Sequence, residues 1–154
     1  MKEVDGVGIQ FLQLQSIDDA KMLAGIAKLH ETVFGSDDNL ADKIASKPEL
    51  LIFLALLDSE VVGYKMGYAL DKETFYSWLG GVDPQYRTHG IASQLMEKQH
   101  HYLKQQGYKL VRTKTKNQWR SMLILNIKSG FDVVDTYLDD VGEVKIVLEK
   151  KLAD

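Results

Sequence analysis

Residues 82–92, with the sequence VDPQYRTHGIA, combine residue types that could bind an anion at the start of a helix. The amides that open a helix lack partners within it and lie at the positive end of its dipole, which suits a phosphate group. No carboxylate occurs between Arg87 and Ile91, and Gly90 would let a ligand approach the backbone closely. The alternative interpretation is turn chemistry alone, because glycine is common at such positions.

A predicted strand precedes this segment, and a predicted helix follows it. Residues 74–82 are rich in aromatic and branched side chains, and Pro84 then stops the strand because it has no amide for the ladder. From residue 91 onward the apolar residues recur at helical spacing. Within the strand, the pair Gly80 and Gly81 indicates a bulge or a close approach of another backbone.

The spacing of these residues resembles the acyl-CoA signature of the GCN5-related N-acetyltransferase (GNAT) superfamily, which reads R/Q-x-x-G-x-G/A. The matching positions are Val82, Pro84, Arg87, Gly90 and Ala92. Downstream, residues 122–131 (MLILNIKSGF) resemble the next motif of that family, a short helix that ends at Gly-Phe. The resemblance extends from about residue 50 to the end, and it is looser toward the start.

The resemblance implies an α/β (α+β) fold in a single GNAT-like domain over residues 1–154, with a mostly antiparallel mixed sheet of about seven strands and about four helices. It also implies that the fourth and fifth strands splay apart. The residue patterns predict strands at 8–14, 50–58, 60–70, 74–82, 109–115, 131–140 and 143–152, and helices at 18–34 and 36–46, from 91 and up to 128.

Several residues are predicted to bound these elements. Ser16 and Asp18 are N-cap candidates for the first helix, and Asn117 is the candidate for the last helix. Glycines or proline close the four helices in turn, namely Gly35, Pro48, Gly107 and Gly130. A tight turn at Ser59 and Glu60 joins an apolar run to a strand in which Val62, Tyr64, Met66 and Tyr68 share one face.

For the donor, the resemblance implies that the pantetheine arm of acetyl-CoA pairs with the fourth strand and that the following turn wraps the pyrophosphate with backbone amides. The positions implied are Gly80, Gly81, Val82, Arg87, Thr88, His89, Gly90, Ile91 and Ala92, with Asn117 added from the later motif. One strand amide would act as the oxyanion donor. Three alternatives stay open: a bulge without a ligand, Arg87 as a surface charge, and His89 as a base.

The proton-transfer residues of the family are not matched. Many members carry a glutamate on the fourth strand, but that position is Tyr76, and no carboxylate follows Glu73 on this strand. Many members also carry a tyrosine before the Gly-Phe as general acid, and the matching Asn126 can donate a hydrogen bond but cannot transfer a proton. Tyr137 and Tyr76 are candidate substitutes, or they are half-buried strand aromatics.

Composition excludes several classes of function. The 154 residues carry 19 basic and 22 acidic side chains, with no basic run that would indicate nucleic acid as a partner. The absence of cysteine excludes disulfides, thiolate metal sites and a cysteine nucleophile. Metal binding is not expected, because His30, His100 and His101 show no ligand spacing. The apolar run at 50–57 is too short to span a bilayer, so a cytoplasmic protein is expected.

Taken together, the residues and the resemblance predict an acetyl-CoA-dependent N-acetyltransferase, with acetyl-CoA as co-substrate. The acceptor would be a primary amine of a small molecule or a peptide, and the resemblance implies that the first two helices wall the acceptor site. The alternative is a non-catalytic acyl-CoA-binding module. A nucleotide phosphate binder is disfavoured because no G-x-x-x-x-G-K-S/T loop is present. A monomer or a homodimer is expected.

Overall fold

The computed structural model describes residues 2–4, 8–47 and 49–152. Within these residues it contains eight strands, four α-helices and one 3-10 helix at Pro84–His89. The strands are β1 Lys2–Val4, β2 Gln10–Leu14, β3 Leu51–Leu57, β4 Glu60–Ala69, β5 Thr74–Val82, β6 Leu110–Lys116, β7 Asp132–Leu138 and β8 Val144–Lys151. The helices are α1 Ala20–Phe34, α2 Leu40–Ala45, α3 Ile91–Gln105 and α4 Arg120–Lys128. Pro48, the predicted end of the second helix, lies outside the described residues.

The strands are hydrogen-bonded in the order β1-β2-β3-β4-β5-β6-β8-β7. The pairs β1-β2, β2-β3, β3-β4, β6-β8 and β7-β8 are antiparallel, whereas β5 and β6 are parallel. The predicted mixed sheet with four helices is therefore confirmed. The short β1 adds one strand, so the predicted fourth and fifth strands are β5 and β6.

The first of two compact units comprises the chain up to Tyr68 together with Leu79–Gln99. Its centre is β3, where the six residues from Leu51 to Leu56 are all buried, as an unbroken apolar run predicts. Asp58 and Ser59 form the turn into β4, both with positive φ, so the turn lies one residue earlier than predicted.

The predicted N-cap of α1 is wrong by one residue. Asp19 is the cap, because its carboxylate accepts hydrogen bonds from the amides of Lys21 and Met22, at 2.9 and 3.4 Å. The nearby Ser16 hydroxyl donates to Asp18 at 3.4 Å, so these two residues contact each other.

The second unit comprises Ala69–Trp78 and His100–Asp154. Its parallel ladder pairs Thr74–Ser77 with Leu110–Thr113 and so covers only the first part of each strand, as predicted for the splayed pair. All seven residues of β7 are exposed. Among the described residues, no helix is both long and apolar enough to cross a membrane.

Asn117 is not the cap of α4. Trp119 occupies the cap position, although its side chain does not cap the helix amides. A turn closed by the Trp119 amide and the Lys116 carbonyl at 3.1 Å delays the helix. The predicted end at Gly130 is confirmed, since Gly130 has φ 102° and the Phe131 amide donates to the Asn126 carbonyl at 3.0 Å.

Gly107, at the end of α3, allows the cost of a left-handed backbone conformation to be measured without a steric clash. Gly107 has φ 91°, and the Tyr108 amide beyond it donates to the Leu103 carbonyl at 3.0 Å. A β-carbon on Gly107 would meet no atom within 4 Å. We expect Gly107→Ala to lower the free energy of unfolding by about 1–2 kcal/mol, because alanine is strained in this conformation. Gly107→Asn should cost less, and equal stability of Gly107→Ala and wild type in denaturant titrations would contradict this account.

Candidate functional site

The end of β5 packs closely on β4, and two glycines make this possible. A β-carbon at Gly80 would lie 3.3 Å from the Tyr64 carbonyl oxygen, and one at Gly81 would lie 3.2 Å from the Tyr64 ring. The next contact along the strands joins the Asp83 amide to the Val62 carbonyl at 2.8 Å. The sequence-based prediction of a close backbone approach is therefore confirmed.

The turn after β5 is held by side chains as well as by the backbone. The Asp83 carboxylate accepts a hydrogen bond from the Gln85 amide at 2.9 Å, and the Arg87 Nε donates to the Val82 carbonyl at 3.2 Å. The exposed His89 has its ring 6.0 Å from the Tyr86 ring. Arg87 therefore fixes the turn onto the end of the strand.

Arg87, Thr88 and His89 do not open the α-helix, contrary to the prediction. They belong to the 3-10 helix, which is separated from α3 because Gly90 adopts the left-handed conformation with φ 70°. The Gly90 carbonyl accepts the first hydrogen bond of α3 from the Gln94 amide, at 3.1 Å. The amides that open α3 are thus those of Ile91 and the two residues after it.

The start of α3 is anchored on β4. Ile91 is fully buried, and a β-carbon at Gly63 would lie only 2.8 Å from the Ile91 Cγ2 and 3.3 Å from the Leu95 Cδ1. The first turn of α3 contains no acidic residue. Its free amides and the helix dipole therefore create a locally positive site that no carboxylate of that turn offsets.

Lys65, which the sequence analysis did not single out, lies beside this strand end. It pairs with Phe53 across β3 and β4, and a β-carbon at Gly80 would lie 3.7 Å from its Cγ. Only 9% of Lys65 is exposed. Burial lowers the pKa of Lys65 from 10.5 to about 8. In the described part of the chain, no carboxylate forms an ion pair with Lys65.

A buried polar network lies where α1 meets β4, and it was also missed from the sequence. The His30 Nδ1 is 2.5 Å from the Tyr64 hydroxyl, and the His30 Nε2 is 3.0 Å from an Asp38 carboxylate oxygen. Burial, assisted by the negative charge of Asp38, raises the pKa of Tyr64 well above its ordinary value. This network fastens α1 to β4, and Tyr64 is a poor proton donor.

The predicted proton-transfer residues all belong to the second unit. Tyr76 is half-buried opposite Arg112, whereas Tyr137 is 40% exposed with the Lys114 Nζ 5.2 Å from its ring centroid. Asn126 is buried within α4, and Asn117 is exposed in the turn before that helix. Of the predicted site residues, those in the first unit are the ones from Gly80 to Ala92. Within the described ranges, no group of three or more histidines and carboxylates could hold a metal ion.

Comparison with known proteins identifies the fold. The model of the acetyltransferase (GNAT) family matches residues 20–120. A GNAT family acetyltransferase from Elizabethkingia anophelis with acetyl-CoA bound is similar, with a TM-score of 0.72, 19% identity, and 92% of this chain and 97% of that chain covered. The ribosomal-protein-S18-alanine N-acetyltransferase from Escherichia coli has a TM-score of 0.74 and 14% identity, covering 93% and 96%.

Aminoglycoside 6'-acetyltransferase type Ii is also similar, with a TM-score of 0.80, 14% identity, and 93% of this chain and 98% of that chain covered. No curated protein matches the sequence significantly. Identities this low establish a shared fold and leave the acceptor to be argued from the chain itself.

The burial of Lys65 predicts a pH dependence of stability. The folded protein disfavours the protonated amine, so the unfolded chain keeps this proton to higher pH, and stability rises as pH passes about 8. Between about pH 7 and about pH 9.5 we expect the wild-type free energy of unfolding to gain roughly 2 kcal/mol from this group. Lys65→Met should lack that gain, whereas the exposed Lys72→Met should retain it. Denaturant titrations across this pH range would refute the prediction if all three proteins changed in parallel.

Proposed function

We propose that this chain, which belongs to the acetyltransferase (GNAT) family, transfers an acetyl group from acetyl-CoA directly to a primary amine of a small molecule or a peptide. One continuous segment carries the proposal. It consists of the glycine pair at the end of β5, the hydrogen-bonded turn after it, and the first turn of α3, which contains no acidic residue. This arrangement lies inside the residues that the family model matches.

The pyrophosphate of acetyl-CoA would be bound at the start of α3. The backbone from Arg87 to Ala92, including the amides of Thr88 and His89, would surround the phosphates, and the dipole of the 15-residue helix favours their negative charge. Gly90 presents no side chain there, and its left-handed conformation turns the backbone between the two helical segments. The Arg87 side chain acts by holding Val82, so its loss should weaken donor binding less than a change at Gly90.

The thioester would lie along the end of β5. We assign the pantetheine arm to the backbone of Gly80, Gly81 and Val82, where one amide would hydrogen-bond the thioester carbonyl as negative charge develops on it. Thioesters react readily with neutral amines, so alignment and polarisation supply much of the required catalysis. Asn117 stays a proposed contact of the donor.

The residues that would transfer protons are proposed from the sequence. Tyr137 and Tyr76 stay candidate acids, and Asn126 stays a candidate hydrogen-bond donor.

For the acceptor, the names of two proteins of similar fold specify a protein alanine and an aminoglycoside, which supports both a peptide and a small-molecule amine. The proposal includes a cytoplasmic location and a monomeric or homodimeric state.

Ligand-dependent stability tests the donor site. At about one hundred times its dissociation constant, acetyl-CoA should add about 2.7 kcal/mol to the free energy of unfolding, because it binds only the folded protein. Thermal melts with acetyl-CoA, free CoA, ATP and NAD measure this. A shift with ATP or NAD and none with acetyl-CoA would refute the proposal. Thiol release with a panel of amines then separates an enzyme from a module that only binds the donor.

Substitution at the helix start tests the placement of the phosphates. Gly90→Glu should abolish acetyl-CoA binding, because it puts a carboxylate where the phosphates would lie. Gly90→Gln is the matched control, since it has the same bulk and the same strain at φ 70° without the charge. We expect binding in the order wild type, Arg87→Ala, Gly90→Gln and Gly90→Glu. Calorimetric titration of the four folded proteins measures it, and equal affinity of the two Gly90 variants would exclude phosphates at this position.

A further inference from the structure

Lys65 is a buried cation for which the described protein supplies no counter-ion. It is only 9% exposed, and no ion pair holds its ammonium group within the described ranges. Placing an unpaired charge in such surroundings costs free energy, and stability alone would favour an apolar residue here. A buried group of this kind at the edge of a binding site is a candidate for chemistry.

Two neighbours of Lys65 come from the strands on either side. Strand β3 places Phe53 opposite it, and β5 places Gly80 beside its side-chain stem. On α3, Leu95 approaches Gly63, two residues before Lys65, and Gln99 lies one turn further along the helix, fully buried and with both side-chain polar atoms unpaired. None of these residues titrates.

One further charged group of α3 lies over the same sheet. The Lys98 Nζ is 4.9 Å from the ring centroid of Phe11, and its positive charge cannot neutralise Lys65. Phe11 pairs with Ala55, which pairs with Gly63, the residue two positions before Lys65. The residues that the structure places directly beside Lys65, Phe53 and Gly80, therefore carry no charge.

The stem of Lys65 lies beside the glycine at position 80. Its Cγ is 3.7 Å from where a β-carbon of Gly80 would be, which is an ordinary contact distance. The ammonium is three bonds beyond that atom. Lys65 therefore projects from β4 beside the end of β5, to which the thioester is assigned.

The buried Tyr64 hydroxyl beside this stretch is a poor acid. The Tyr64 hydroxyl is already hydrogen-bonded to His30, and burial raises the pKa of Tyr64 far above the pH at which enzymes work. Tyr64 also contacts the neighbouring position, Gly81. Among the described residues, Lys65 is a titratable side chain beside Gly80 that carries a removable proton.

We propose that Lys65 is a catalytic residue that passes a proton from the acceptor nitrogen to the sulfur of CoA. The inference rests on the proposed acetyl transfer. The amine nitrogen first bonds to the thioester carbon, and the carbonyl oxygen takes the electron pair. The C–S bond then breaks as the oxygen re-forms its double bond, the ammonium of Lys65 gives a proton to the departing sulfur, and the neutral lysine takes a proton from the nitrogen. The products are the amide and the free thiol, and Lys65 is again protonated.

The acidity of Lys65 suits this exchange. Burial lowers the pKa of Lys65 to about 8, which is close to the reference value of roughly 8.5 for a thiol. A proton therefore moves from the lysine nitrogen to the sulfur with little free-energy change. General acids work best when their pKa lies near the working pH. Because the protonated form donates, the advantage of Lys65 should be greatest below pH 8 and decline above it.

Two substitutions separate proton transfer from charge and packing. Lys65→Met keeps the length and removes the charge, and Lys65→Arg keeps the charge on a group that does not release a proton near neutral pH. We expect both to lower kcat by about a hundredfold or more near pH 7 while acetyl-CoA affinity changes little. Lys72→Met, at an exposed turn position, is the control. Full turnover in Lys65→Met, or full rescue by Lys65→Arg, would overturn the proposal.

The leaving group provides a second measurement. A second donor is S-(4-nitrophenyl) thioacetate in place of acetyl-CoA. Its thiolate is stabilised by the nitro group and leaves without a proton, so the kcat deficit of Lys65→Met should largely disappear. A deficit that persists with this donor would overturn the role in protonating sulfur. If wild type neither binds acetyl-CoA nor releases thiol with any amine, the proposed function fails and this inference fails with it. If wild type is active and the variants match it at every pH, the inference alone fails.

Discussion

The start of α3 depends on the missing side chain of Gly63. Any larger residue would collide with Ile91, whose Cγ2 lies 2.8 Å from the position of a β-carbon. This single contact sets how near the first turn of the helix comes to β4, and Gly90 then sets the direction from which the chain arrives. The open amides of α3 therefore owe their position to packing at a residue that has no polar group of its own.

Strand β4 organises the first unit on both of its faces. Tyr64 contacts Gly81 and His30, whereas Lys65, the next residue, contacts Gly80. The two glycines of β5 thus match two large side chains of β4, one for each face of the strand. The parallel ladder with β6 covers Thr74–Ser77, so it does not include the end of β5.

Much of this fold could be predicted from local residue patterns, and the failures have physical causes. Gly107 and Gly130 were predictable helix ends because a left-handed residue at a helix terminus strongly favours glycine. N-caps were less predictable, because several residues near each helix start could cap it and the path of the backbone determines which one does. Asp19 caps α1 for this reason, and α4 begins after Trp119 and not after Asn117.

The chemistry of the site was predictable only where it depends on the backbone. The segment from the glycine pair to Ala92 followed from spacing, whereas Lys65 did not, because alternation in β4 suggested one buried face and α3 covers the other as well. Likewise, His30 and Asp38 are joined to Tyr64 by tertiary packing that no local pattern records. Burial of a polar side chain is decided by elements that are distant in the sequence.

The exposed strand β7 has a consequence for the behaviour of many copies in solution. It is the last strand in the sheet order, and its fully exposed residues include Val133, Val134 and Leu138, which would otherwise favour edge-to-edge association. Asp132 and Asp135 interrupt this apolar series. If two such edges met, their carboxylates would repel one another, and the repulsion would weaken as salt shortens the range of charge interactions. The colloidal stability of the protein should therefore decrease in concentrated salt.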